Sequence, residues 1–303
     1  SRRKAPVSIY MDKIDFFGGC HGNFLEVIID MFVCGNRTMI GKPLFNENGA
    51  AHLKRNIADY KPAIIQNHYS YFNIPFDIND NVIEIHVSNT DILAALTNSL
   101  VRAGDEVLDI THLHTNTIKK LIALPKAQGF LDDLIREHGI HDTYPKQVIR
   151  NYFYSKFDDK DYGLSLFNTF THKGNKHIFP FSAFFNLEEF YYHLNKCAYF
   201  LNLNFYPTEQ CAMIWKDFIS CNQGYQSQKK CNIIIKHILN GINIPIDNLT
   251  LVEEAWIAHR VSKIFRCYNH PLLIAETFPT NTLEISVALY DWKSKDYKVE
   301  LEE

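Results

Sequence analysis

The sequence predicts an α/β protein with a central, mostly parallel sheet, on three observations. Short apolar runs alternate with helix-spaced apolar patterns through the first part of the chain, which is typical of β-α-β units. A glycine-rich turn joins the first strand to the first helix. Hydrophobic residues form 46% of the 303 residues, with 22 Phe and 16 Tyr, so a large core is available. We expect one three-layer domain over residues 1–303.

The first predicted strand, Ile14–Phe17, leads directly into Gly18 and Gly19. A helix is predicted to begin near Asn23, because apolar residues then recur at helical spacing. These residues are Phe24, Leu25, Ile28, Ile29 and Phe32. Together they predict a strand-loop-helix unit at the start of the fold.

Two further strands are predicted before residue 90. Ala63–Gln66 predicts a strand that ends at Asn67 and His68, and Val82–Val87 predicts a third. A helix is then expected from Thr90, as its N-cap, to Val101. The segment 104–150 is polar and less periodic, and we expect it to be an inserted cap.

The C-terminal half predicts mainly helices, above all in residues 180–270. Asn186 with Glu189 three residues later predicts a helix start. The predicted helices cover 187–201, 207–218, 228–240 and 251–265, and a late strand is predicted over 283–289.

Composition excludes several classes of function. Lys and Arg number 31 and Asp and Glu 34, a net charge of -3, which disfavours non-specific binding of nucleic acid. No apolar run is long enough to span a bilayer. The seven cysteines are scattered without a CxxC pair, which favours reduced thiols. The opening residues carry no secretory signal, and we expect a cytoplasmic protein.

The loop Gly18–Asn23 is the first candidate site. Glycines let a backbone approach a ligand closely, and the start of a helix attracts phosphate through its N–H groups and its dipole. The loop matches neither the pattern GxxxxGK[ST] nor GxGxxG. The alternative is a tight turn that only packs the helix on the sheet.

Histidines supply the candidate catalytic groups. His68 follows a strand, where ligands collect in a parallel sheet, and its imidazole suits a general base. The alternative is a histidine satisfied within a turn. His21 lies in the glycine loop, where it would bond a phosphate oxygen or a leaving group. His112 and His114 would share one face of a strand, but no third ligand is evident, and no metal site is predicted.

Taken in order, these segments resemble the P-loop-type sulfotransferases. Phe16–Leu25 is similar to the family's strand, phosphosulfate loop and helix, and Ala63–Tyr69 to its strand with the catalytic histidine. Val82–Asp91 lies where the family grips the 3′-phosphate of its cofactor, and Phe179–Phe181 resembles the segment that closes its core. The resemblance implies sulfuryl transfer from 3′-phosphoadenosine-5′-phosphosulfate to a hydroxyl of a glycan, a peptide or a small alcohol.

The resemblance also implies roles for particular residues. His68 would be the base, His21 or Asn23 would stabilise the leaving oxygen, and Ser88 with Thr97 or Ser99 would contact the 3′-phosphate. The phosphosulfate would lie on Gly18, Gly19, Cys20, His21, Gly22, Asn23 and Phe24.

The chain departs from the family at its cations. Cys20 is nearest to the family's loop lysine, His21 and Asn23 replace its Ser/Thr pair, and Ser88 replaces its arginine. The family's late Arg-Lys-Gly loop has no match, and each missing cation removes charge-assisted contacts.

Two alternatives stay open. One is a sulfotransferase-like scaffold that binds a ligand or partner without turnover. The other is a glycosyltransferase that uses a sugar nucleotide, since some fucosyltransferases carry Gly-Gly-x-Gly-Asn after their first strand.

Overall fold

The computed structural model describes residues 12–16, 18–36, 63–68, 79–101, 112–114, 136, 143–145, 157, 174–239 and 249–264. They fall into two compact units. The first comprises residues 1–91 and 166–222, and the second comprises residues 92–165 and 223–303.

The described strands and helices follow one another along the chain as follows. The strands are β1 (Lys13–Phe16), β2 (Ile65–His68), β3 (Val82–His86), β4 (His112–His114), β5 (Thr143–Pro145) and β6 (Lys176–Pro180). The helices are α1 (Gly22–Phe32), α2 (Ile92–Val101), α3 (Leu187–Phe200), α4 (Glu209–Cys221), α5 (Gln223–Leu239) and α6 (Leu251–Ile264). A 3-10 helix covers Phe181–Phe185.

The first unit is built on a four-stranded sheet in the order β2-β1-β3-β6. Every neighbouring pair in this sheet is parallel, which confirms the predicted α/β class with a parallel sheet. From β1 the chain adds β2 on one side and then returns to add β3 on the other. The order in which strands are added therefore reverses between β1 and β3. In parallel sheets such a switch point forms a crevice at the carboxyl ends of the strands.

The predicted boundaries of β1, α1 and β3 are within one residue of those observed. Helix α2 begins at Ile92 and not at Thr90, because a turn precedes it in which the Asp91 N–H donates to the Ser88 carbonyl at 3.0 Å. The strand β6 was not predicted, because only Phe179 of its five residues is fully buried and the apolar signal of an outer strand is weak. Pro180 ends this strand, as expected for a residue that lacks an N–H.

The two faces of the sheet differ in composition. Side chains alternate along a strand, and residues in register on parallel strands share a face. The face that we call the aromatic face carries Ile14, Phe16, Ile83, Ile85, His177 and Phe179. The face that we call the charged face carries Lys13, Asp15, Glu84 and Lys176. On the aromatic side, Phe179 lies 4.9 Å from Phe184 between ring centroids, and Phe24 of α1 stacks on Phe218 at 3.9 Å.

Side-chain caps fix the helices that follow β6. The Asn186 side chain accepts hydrogen bonds from the N–H groups of Glu188 and Glu189, at 2.9 and 3.1 Å, at the predicted start of α3. Thr208 caps α4 by accepting from the Cys211 N–H at 3.1 Å. Such caps contribute about 1 kcal/mol each.

The second unit contains α2, α5 and α6, with the antiparallel pair β4 and β5. A Cβ on Gly224 would lie 2.2 Å from the Ala94 carbonyl oxygen, so glycine lets α5 approach α2 closely. At the start of α6, Glu253 and Thr250 cap each other's N–H groups, and Ser227 and Lys230 of α5 also donate to Glu253. Helix α5 begins five residues before its predicted start.

Some predictions lie outside the described residues: the late strand 283–289, Cys267 and most of the predicted cap 104–150. None of the described cysteines forms a disulfide. Among the helices in the described ranges, none combines the length and the apolar character needed to cross a membrane.

Candidate functional site

Three segments singled out from the sequence lie at one edge of the sheet. The glycine loop follows the carboxyl end of β1, and His68, the last residue of β2, is in register with Phe16, the last residue of β1. Ser88 follows the carboxyl end of β3 by two residues. The structure therefore brings these backbone positions to the carboxyl edge of the sheet, with His68 and Ser88 on opposite sides of β1.

The glycine loop has a tight, fixed backbone. Gly19 has φ 94° and His21 has φ 62°, so two left-handed residues turn the chain into α1. The His21 carbonyl accepts the N–H groups of Phe24 and Leu25, both at 3.0 Å. A Cβ at Gly22 would lie 2.0 Å from the Phe16 ring. Glycine is needed at position 19 because the backbone there is left-handed. Glycine is needed at position 22 because the Phe16 ring leaves no room for a Cβ.

The His21 side chain lies in a cage of aromatic rings. Its ring stacks on Phe181 with centroids 5.2 Å apart and meets Phe218 edge-on at 4.8 Å. Its Nε2 lies 3.0 Å from the Asn222 amide nitrogen. In this amide orientation Nε2 accepts the hydrogen bond. A left-handed non-glycine residue costs roughly 1–2 kcal/mol, and the cage holds His21 in this conformation.

Other residues of the predicted loop site are buried. Cys20 is fully buried, and Asn23 is 5% exposed at the start of α1. The Phe24 ring contacts Phe218 and Phe190, so it belongs to the aromatic core.

The positions predicted to grip a 3′-phosphate do not all lie in one unit. The Ser88 hydroxyl is 2.8 Å from the Thr90 hydroxyl and donates to the Asp91 carboxylate within the turn before α2. Thr97 and Ser99 lie on α2, in the second unit. Thr97 is buried, and its Oγ1 has no hydrogen-bond partner among the described residues.

A pair of buried acids lies just before the carboxyl edge. Asp15 of β1 and Glu84 of β3 are in register, on the charged face, and are 0% and 2% exposed. Neighbouring strands are about 4.8 Å apart, so two ionised carboxylates here would repel by roughly 3 kcal/mol at an effective dielectric of about 20. Burial, and then the charge of Glu84, raise the pKa of Asp15 to about 7, against a backbone hydrogen bond from Phe16.

The lysines of this face also have acidic partners. Lys176 Nζ lies 3.3 Å from Glu84 Oε2, and the Lys176 side chain is 45% exposed. The buried Lys13 forms an ion pair with Asp80.

Sequence reasoning missed the acid pair and Asn222. A signal for the pair was present: parallel strands buried on both faces are usually continuous apolar runs, yet Lys13–Phe16 and Val82–His86 place charges at alternate positions. Asn222 stands between two helices, and nothing in its local sequence indicates its contact with a loop 201 residues away.

The histidines considered as metal ligands, His112 and His114, form β4 in the second unit. Within the ranges that the structure describes, no group of three His, Cys, Asp or Glu side chains is arranged to hold a metal ion.

Comparison with known proteins gives no relative: no family model, no curated protein and no solved structure matches this chain.

Proposed function

We propose that the protein binds a phosphate- or sulfate-bearing nucleotide on the loop Gly18–Asn23. The observation that supports this proposal is the position of the loop: it connects β1 to the start of α1 at the switch point of a parallel sheet. Ligands of open α/β sheets bind in this crevice. The first turn of a helix attracts anions through its N–H groups and its dipole.

In this proposal, backbone N–H groups hold the anion. Left-handed residues at Gly19 and His21 shape the turn, and the aromatic cage around His21 fixes it before a ligand arrives. A site fixed in advance loses less entropy on binding. Because the loop has Cys20 where the similar family has lysine, we expect micromolar affinity.

We further propose that the bound nucleotide is 3′-phosphoadenosine-5′-phosphosulfate and that the protein transfers its sulfuryl group, as the resemblance to sulfotransferases implies. The acceptor oxygen forms a new bond to sulfur while the bond from sulfur to the 5′-phosphate oxygen breaks. The acceptor proton passes to His68, and 3′-phosphoadenosine-5′-phosphate leaves with its new negative charge near the start of α1. Positioning and charge stabilisation would supply most of the acceleration.

A transfer assay with ³⁵S-labelled donor and a panel of glycan, tyrosyl-peptide and small-alcohol acceptors tests the activity. His68→Ala should lower transfer by a factor of roughly 10² or more, with unchanged unfolding by urea. His86→Ala is the matched control, because His86 is an exposed histidine at the end of β3, which β1 separates from β2, and it should keep full activity. Full transfer by His68→Ala would show that His68 is not the base.

A non-catalytic binding scaffold is the second candidate, and the cage around His21 favours it. The described contacts of this side chain are with aromatic rings and Asn222, at a loop position where the family has a Ser/Thr pair. A scaffold would bind 3′-phosphoadenosine-5′-phosphate, yet it would label no acceptor with purified protein at high concentration.

A further inference from the structure

The buried acids Asp15 and Glu84 are the most unusual feature of the sheet outside the loop. They lie side by side on its two central strands, with side chains on the same face. Two carboxyl groups held this close in a buried site do not both ionise readily, and such pairs commonly retain one proton between them.

The hydrogen bonding of Glu84 agrees with a retained proton. Its Oε2 accepts from Lys176 at 3.3 Å, whereas its Oε1 is buried and has no hydrogen-bond partner among the described residues. Buried carboxylate oxygens nearly always have a donor. A protonated carboxyl on the in-register neighbour Asp15 would be such a donor.

We propose that Asp15 and Glu84 share one proton, and that loss of this proton weakens anion binding at the glycine loop. The loop begins three residues after Asp15, so a second buried negative charge would oppose an anion there. Proton binding and anion binding would then strengthen each other by the same factor. The effect of the proton on anion binding rests on the proposed nucleotide site, whereas the shared proton does not.

The raised pKa of Asp15, about 7, places this release near neutrality. Other described titratable groups near the pair are few. On the same face, Lys13 pairs with Asp80, Lys176 pairs with Glu84, and His86 is exposed at the end of β3. His21 lies in the loop itself, and its protonation would change anion affinity in the same direction.

The test is a calorimetric titration with adenosine-5′-phosphosulfate, whose charges stay constant between about pH 5.5 and pH 8.5. Wild-type protein should bind about tenfold more weakly at the higher pH. Asp15→Asn removes the titrating acid with little change of shape, so it should bind at high pH nearly as tightly as wild type binds at low pH. His86→Gln should behave as wild type, and a flat profile in that variant would assign the effect to His86 and overturn the proposal.

Infrared spectroscopy tests the proton without any ligand. Wild-type protein near pH 6 should show a protonated-carboxyl band that disappears by about pH 8.5, and both Asp15→Asn and Glu84→Gln should abolish its titration. Absence of this band in wild type would overturn the shared proton. If the band is present but no nucleotide binds at any pH, the shared proton is retained and the proposed binding site is refuted.

Discussion

The two faces of the central sheet differ in what holds them together and in what they contribute to the edge. The aromatic face packs rings from β6, α1, α3 and α4 around the loop, and this packing holds His21 and Gly22 in place. The charged face buries Asp15, Glu84 and Lys13 on the two central strands, and the half-exposed Lys176 of β6 pairs with Glu84. The packing of apolar rings does not depend on pH, whereas the stability contributed by buried titratable groups does. The aromatic face therefore holds the loop in shape, and our proposal assigns to the charged face the electrostatic potential beneath the loop.

The largest effect should come from the aromatic face. Phe184 is fully buried and contacts rings on every side, including His21, Phe24 and Phe179. Phe184→Ala should lower the free energy of unfolding by about 3–5 kcal/mol, as measured by urea denaturation. Tyr199→Ala, at a residue that is 83% exposed, is the control and should change it by less than about 0.5 kcal/mol. Equal effects would contradict the assignment of the core.

The contact between the loop and the aromatic face should give the next largest effect. Gly22→Ala puts a Cβ 2.0 Å from the Phe16 ring, and the overpacking should cost about 1–3 kcal/mol. Phe16→Ala in the same chain removes the overlapping ring atoms and should recover part of this loss, and a double-mutant cycle measures the coupling.

Gly35→Ala separates steric overlap from backbone strain. Gly35 has φ 76°, and a Cβ there meets nothing within 4 Å, so only conformational strain of about 1 kcal/mol is expected. A loss at Gly35 as large as that at Gly22, with no recovery of the Gly22→Ala loss by Phe16→Ala, would mean that Phe16 does not restrict the loop.

The pH dependence of stability should distinguish the two faces by its sign. On the charged face, folding raises the pKa of Asp15 to about 7, so the folded state binds the extra proton. Stability should therefore fall as pH rises from about 4 to 7. Asp15→Asn should remove this fall and be more stable than wild type at high pH.

On the aromatic face the sign is opposite. Burial, and then the charges of His193 and Lys196, lower the pKa of His177. The unfolded state then binds the extra proton, and stability should fall as pH drops below about 6.5. His177→Gln should remove this loss, as measured by urea denaturation across the pH range. The contribution of each group is the difference in stability between wild type and its variant at each pH. If both contributions change with pH in the same direction, the contrast between the faces is refuted.

Local signals account for what the sequence predicted correctly. β1 and α1 follow from a short apolar strand, two glycines and helical spacing, and Asn186 and Thr208 cap helices where their side chains indicate. The same signals missed β6, because four of its five residues are not fully buried.

The candidate site was predicted less completely, because much of it depends on contacts distant in sequence. Loop and strand order sufficed to expect the glycine loop, His68 and Ser88 at one edge. The register that pairs Asp15 with Glu84, and the fold that brings Asn222 to His21, depend on tertiary packing. Neither contact could be predicted from local patterns alone.

The most direct test of the account is calorimetric titration with 3′-phosphoadenosine-5′-phosphate, with ADP and GDP-fucose as comparison ligands. Wild type should bind the bisphosphate with micromolar affinity and prefer it to both. Asn23→Asp adds a negative charge at the start of α1 and should weaken binding at least about tenfold. The control variant Asn202→Asp, at an exposed residue, should leave the affinity for the bisphosphate unaltered. No binding of the bisphosphate, or equal affinity in both variants, would contradict an anion site on the loop, and preference for GDP-fucose would favour a sugar-nucleotide enzyme.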